Sequence, residues 1–250
     1  MLVKGGDCML KKTLLIVFFI ILGVFFTNTV ACANPSLQEG LNAYNNKNYK
    51  EAYNIFSILS QEGNSQAQYI LGSMYLDGIG VKKDYKKAYE LFMQSAKQNN
   101  SFGEYALGYL YKHGLGVKKD LSKTLYWWEK SAKENNRDAL YGLGFLYSMG
   151  QGVELNYKKS FEYWEKASYL GSNYAQYRLG LLYYEGNIEK NYVYAYAWID
   201  VAKKFSTPDE EIYKLALHHL NIVKYKLTNN ELLQAKELAD KLYNQIKSNQ

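Results

Sequence analysis

Between residues 65 and 205 the apolar positions recur on two scales. Within short stretches they return every three or four residues, and along the chain the whole pattern returns every 36. Ala67, Leu71 and Tyr75 lie on one face of a predicted helix. A short glycine-containing loop follows, and then a second helix carrying Ala88, Leu91 and Phe92 at i, i+3 and i+4. The columns are Leu71-Gly72, Leu107-Gly108, Leu143-Gly144 and Leu179-Gly180; Tyr75, Tyr111, Tyr147 and Tyr183; and Gly78, Gly114, Gly150 and Gly186. The small residues Ala52, Ala88, Thr124, Ser160 and Ala195 form a fourth column. Three full units run 65–100, 101–136 and 137–172, and a fourth, one residue shorter in its loop, runs 173–205.

Each column has a physical reading. A glycine inside a helix costs roughly 1 kcal/mol against alanine, so four at one place imply that another helix crosses closely there. Gly78 and its equivalents are placed to end the first helix as left-handed caps. Asp84, Asp120, Asn156 and Asn191 are placed to cap the second. Bulky pairs such as Trp127-Trp128 and Tyr163-Trp164 fill the space between units. Residues 34–64 read as an opening unit, because Tyr49, Ala52, Ile55 and Phe56 keep the second-helix pattern. Residues 206–250 read as capping helices. One is expected to open at the capping box Thr207-Pro208-Asp209-Glu210, with proline at the first helical position, and the other at Thr228-Asn229-Asn230-Glu231. Paired helices stacked in line make an all-α solenoid.

The stretch from Gln66 to Ala88, with its Leu71-Gly72, Gly78-Ile79-Gly80 and Asp84-Tyr85 steps, resembles the Sel-1-like repeat family, the 36-residue relative of the tetratricopeptide repeat. The resemblance covers about residues 37–203, and residues 227–243 look like the family's closing helix. It implies a right-handed α/α superhelix, and adaptors that hold proteins in complexes. Exported bacterial members are linked to cell-envelope or host interactions.

The first 33 residues stand apart. Lys11-Lys12 precede an apolar run from Leu14 to Phe26, followed by Ala31-Cys32-Ala33. That run is shorter than the ~20 residues of a spanning helix and fits a signal peptide. Cleavage after Ala33 is expected, with Met9 as the natural start. A rival reading takes Thr29-Val30-Ala31-Cys32 as a lipoprotein box, although Thr29 departs from the usual leucine. The mature chain would then be periplasmic or secreted, or anchored in the membrane through a lipid on Cys32.

Composition narrows the chemistry. The chain has 250 residues, a net charge of +6, 26 Tyr, two Cys, two Pro and three His. The excess charge is interleaved with Asp and Glu, so no nucleic-acid partner is implied. Two cysteines exclude a disulfide-dense scaffold, and no cofactor or metal is expected. The Gly-x-Gly segments follow helices and lack a phosphate-loop lysine, so they read as turns. The cysteine-rich branch of the resembling family is described as β-lactamase-like. This chain has no cysteine in any repeat and no Ser-x-x-Lys or Lys-Thr-Gly, so no enzyme activity is expected.

The remaining candidate is a surface. By analogy with tetratricopeptide repeats, the first helices line a concave groove. Its partner-binding residues are expected to be Phe102, Tyr105, Tyr109, Lys112, Tyr141, Phe145, Met149, Tyr174, Tyr177 and Tyr184. Tyrosine combines contact area with few rotatable bonds and suits such a role. A protein or peptide is the expected partner, with peptidoglycan as the alternative because rings stack on sugar faces.

Overall fold

The computed structural model describes residues 35–249. The expected leader, the Met9 start and Cys32 lie outside them. Among the described residues there are twelve helices and no strand, arranged as an all-α helical repeat solenoid. Helices α1 (Leu37–Asn45) and α2 (Tyr49–Gln61) form the opening hairpin. Four hairpins follow: α3 (Ser65–Asp77) with α4 (Tyr85–Lys97), α5 (Ser101–His113) with α6 (Leu121–Lys133), α7 (Arg137–Met149) with α8 (Tyr157–Tyr169), and α9 (Asn173–Glu185) with α10 (Tyr192–Lys204). Helices α11 (Glu211–Lys224) and α12 (Asn229–Ser248) close the chain. None of these helices is long and apolar enough to cross a membrane.

The repeated polar residues set where helices begin and end. The side chains of Asn64, Asn100, Asn136 and Ser172 accept backbone N–H groups at the start of each first helix. Gly78, Gly114, Gly150 and Gly186 end those helices with φ between 62° and 79°, the left-handed region that favours glycine. Asp84, Asp120, Asn156 and Asn191 cap the second helices as expected. Each intervening loop is tied back to the tyrosine column. The Asp84, Asp120 and Asn156 amides donate to the carbonyls of Tyr75, Tyr111 and Tyr147 at 2.9 Å. In the shorter fourth loop Asn191 makes the same bond to Tyr183 at 3.1 Å, so the missing residue is absorbed inside the loop.

The close approach expected at the helical glycines is present, and its occupant is a side chain of the second helix. A Cβ on Gly72 would lie 2.6 Å from the Phe92 ring. The Trp128 indole is held between Gly108 of its own unit and Gly142 of the next, and Trp164 sits on Gly144. Both indoles also donate to backbone, Trp128 Nε1 to the Tyr105 carbonyl at 3.0 Å and Trp164 Nε1 to that of Tyr141 at 3.1 Å. At Gly180 the occupant is Ile199, and there the backbone itself comes close, with the Ala195 carbonyl 3.0 Å from the Cβ position.

At the C-terminal end one expectation is corrected. Residues 207–210 do not form a capping box. The Thr207 hydroxyl donates to the Glu210 carboxylate at 3.0 Å, the Glu210 amide closes a turn onto the Thr207 carbonyl, and the helix starts at Glu211. The hydroxyl is engaged by a side chain and caps no backbone amide. The Thr228 box forms, with Glu231 N on Thr228 Oγ1 and Thr228 N on Glu231 Oε2. Helix α12 buries Ala235, Ala239, Leu242 and Ile246. It is tied to α10 by Lys204, which bridges Asp200 at 3.0 Å and Asp240 at 2.5 Å.

Trp128→Ala should destabilise the fold by about 3–5 kcal/mol, since it empties space in two units at once. Gly108→Ala should be destabilising by about 1–2 kcal/mol. Overpacking against a rigid indole costs about 1–3 kcal/mol, more than the helix-propensity gain of up to about 1. In the Trp128→Ala background the same glycine change should become neutral or stabilising. Urea denaturation of the four proteins measures this coupling, and additive effects would contradict the seat.

Candidate functional site

The first helices of successive units lie side by side, and their outward residues meet along diagonals. Tyr69 packs against Phe102 with ring centroids 5.5 Å apart, and Tyr141 against Tyr174 at 5.9 Å. Lys112 Nζ lies 4.9 Å from the Phe145 ring centroid, and the Arg178 guanidinium lies 5.9 Å from the same ring. Every one of these pairs is 33 residues apart in a 36-residue repeat. Each step to the next helix therefore falls back by three residues, along an i±3 ridge of the kind that packs helices together.

The expected residues distribute unevenly on this face. Phe102 is 49% exposed, Met149 57% and Tyr174 46%. Tyr105, Tyr109, Lys112, Tyr141, Phe145 and Tyr184 are half-buried. Tyr105 stacks on Trp128 at 5.8 Å, and Tyr109 lies 4.4 Å from the His113 ring. Tyr177 departs from expectation, because it is only 6% exposed. Its hydroxyl is 3.0 Å from His219 Nδ1 on α11, a helix outside the repeat, and Leu181 and Tyr184 pack beside the same cluster. The open part of the face thus runs over α3, α5, α7 and the start of α9.

Arg178 was not among the expected residues. Its column reads Ile70, Ala106, Gly142, Arg178, so it is the one charged member of an otherwise apolar set. That departure is the signal that could have found it.

Electrostatically the face combines phenols with unneutralised cations. Burial first, and then the Asp138 carboxylate, push up the pKa of Tyr105. Burial also raises Tyr69 and Tyr177. Burial and nearby Lys119 push Lys112 down, and His113 is lowered by burial and by Lys112. Among the described residues the ion pairs are Lys130–Glu104, Arg137–Asp138, Lys203–Asp200 and Lys204 with Asp200 and Asp240, so neither Lys112 nor Arg178 is in one. The described residues contain no group of three or more His, Cys, Asp or Glu side chains placed to hold a metal.

The tyrosine columns away from this face are framework. The hydroxyls of Tyr53 and Tyr75 meet at 3.0 Å, and those of Tyr89 and Tyr111 at 3.2 Å. Lys87, Lys123 and Lys159 lie over the rings of Tyr75, Tyr111 and Tyr147. Burial and the bond from Tyr53 push Tyr75 up to about 12.

These shifts predict alkaline sensitivity. A phenol whose folded pKa is raised above its usual value of 10.0 contributes stability that is full below pH 10. That contribution is lost as pH rises through the folded value, so for Tyr75 the window is pH 10 to about 12. Urea midpoints should fall across this window, and Tyr75→Phe should flatten the decline. A midpoint insensitive to pH there would contradict the burial of these phenols.

Comparison with known proteins agrees with this architecture. The Sel1 repeat family matches residues 65–100, 101–136, 137–172 and 173–202. A Sel1 repeat protein from Oxalobacter formigenes superposes with a TM-score of 0.60 at 27% identity, covering 68% of this chain and 70% of that one. A putative sel1 repeat protein from Klebsiella pneumoniae subsp. pneumoniae gives 0.51 at 18% identity, covering 75% and 90%. Immunity protein Pa5087 from Pseudomonas aeruginosa gives 0.50 at 22%, covering 76% and 83%, and shares the fold. Among curated proteins nothing matches the sequence.

Proposed function

We infer the function from one premise, that this chain belongs to the Sel1 repeat family. Proteins of this family generally mediate protein–protein interaction, and the repeat scaffold is generally non-catalytic. On that basis the chain is a scaffold that holds a protein or peptide segment along the shared face of its first helices.

The observation that carries this reading is the row of unlike aromatics on that face. Phe102 and Tyr174 share a column with Gln66 and Asp138, while Tyr109 and Phe145 share one with Ser73 and Leu181. Polar or aliphatic residues stand at both places in other units, so the repeat itself does not require a ring there, although Phe145 also packs against the core. Exposed or half-buried rings in a row supply the kind of contact that dominates binding energy in interfaces. Export of the chain, by cleavage after Ala33 or lipidation at Cys32, completes the reading and rests on the leader-like N-terminus alone.

Two measurements check these points. Chemical cross-linking in the native host, followed by affinity recovery, should capture a protein partner with the wild-type chain. The Tyr109→Ala plus Phe145→Ala variant, matched for helix content by circular dichroism, should recover roughly a tenth or less, since interface anchors are worth about 2 kcal/mol each. Equal recovery would remove the face from the reading. Mass spectrometry of the mature N-terminus should find Asn34 first, whereas an acylated Cys32 or an uncleaved N-terminal anchor would overturn cleavage after Ala33.

A further inference from the structure

The diagonal that joins Lys112, Phe145 and Arg178 differs from the other diagonals of the face. The 69–102 and 141–174 contacts pair aromatic rings. The 112–145–178 diagonal places two cations of different helices over one ring. Lys112 also lies 5.2 Å from the Trp128 ring centroid, so its stem and ammonium rest on an aromatic floor. Neither cation has a carboxylate partner among the described residues. Lys119 and His113 add further positive or protonatable groups beside Lys112. Asp138, an acidic residue of this face, acts on Tyr105 and is paired with Arg137.

A partly desolvated cation without a counter-charge is unfavourable, and an arriving carboxylate relieves that cost through charge-assisted hydrogen bonds. Arginine adds a planar fork that matches a carboxylate, and lysine a point charge. The floor between them is a ring with no hydrogen-bond donors, which suits an apolar side chain. A phosphate group would be better served by a convergent cluster of donors. The chain after Ala33, with 27 Lys and Arg against 23 Asp and Glu, keeps a net positive charge that draws acidic partners in the same sense.

We propose that the Lys112–Phe145–Arg178 diagonal is a subsite for an acidic peptide segment, in which Asp or Glu side chains engage the two cations and an adjacent apolar or aromatic side chain packs on Phe145. This rests on the reading of the face as a peptide-binding groove. The cation pair selects the sequence of the segment, while the surrounding rings supply contact area.

Selection of random peptides displayed on phage against the immobilised full chain tests it, run in parallel on wild type, Lys112→Gln plus Arg178→Gln, and Lys112→Arg. Wild type and Lys112→Arg should enrich peptides with Asp or Glu beside an apolar residue, and the double variant should lose that acidic bias. A selected acidic peptide, measured by fluorescence anisotropy, should bind the double variant roughly tenfold more weakly, and its wild-type affinity should fall as salt is raised. Enrichment of apolar or aromatic peptides without acidic bias in wild type would overturn the subsite and leave the groove reading standing. Acidic bias that persists in the double variant would also overturn it. If no peptide is selected on wild type, the groove reading fails and the subsite with it. Circular dichroism melts of the three proteins guard against misfolding: both cations are half-buried, so the double variant should lose only a modest amount of stem packing and remain folded at the assay temperature.

Discussion

An aromatic ring resting on a glycine fixes how far apart the two helices of a unit can sit, and the regularity of the array follows from that distance. Gly72 under Phe92, Gly108 under Trp128 and Gly144 under Trp164 leave no room for a Cβ, so the first helix lies directly on the ring of the second. Where the ring is replaced by Ile199, the helices close up until the Ala195 carbonyl approaches Gly180. Trp128 extends the constraint beyond its unit, because the far edge of its indole meets Gly142. All eight helices of the four full hairpins are thirteen residues long. With length and separation both held constant, the left-handed glycine caps and the Asp or Asn caps fall at equivalent places and the loops can repeat.

The framework was legible in the sequence because the same local solution is written several times. The capping roles of Asp84, Asp120, Asn156 and Asn191 depend only on neighbours two or three residues away, and all four were read correctly. Thr207 shows the limit of that locality. The Thr228 hydroxyl donates to the Glu231 carboxylate and also accepts the Glu231 amide, but at Thr207 the Glu210 amide is already taken by the turn onto the Thr207 carbonyl, so only the bond to the carboxylate forms. The place of Tyr177 was illegible for a different reason. Its column predicts an outward ring, and what covers it is His219 of α11, which lies beyond the last repeat and obeys no period. Arg178 was missed because its neighbour Phe145 is set by the crossing of two helices and by no spacing within either.

Cation–π contacts serve two purposes in this molecule. Along the tyrosine column, Lys87, Lys123 and Lys159 each cover a framework ring, one per unit, in repeated geometry. Their exposed ammonium groups remain hydrated, and the contact mainly packs the lysine stem. On the shared face Lys112 and Arg178 converge on one ring from different helices, without repetition in other units. The same elementary attraction is thus part of the scaffold in one place and leaves charge available in the other.

The offset between 36 and 33 has a consequence for how such an array can change over time. Residues that must agree for the units to stack are 36 apart, and residues that touch on the outer face are 33 apart. A substitution at Lys112 alters what meets Phe145 and Arg178 while leaving the column of Gly72, Gly108, Gly144 and Gly180 intact. The chain therefore carries two interleaved alphabets in the same thirteen-residue helices, one spelling the scaffold and one spelling the surface. A change in the second can leave the first untouched, which lets one architecture present different surfaces without being refolded.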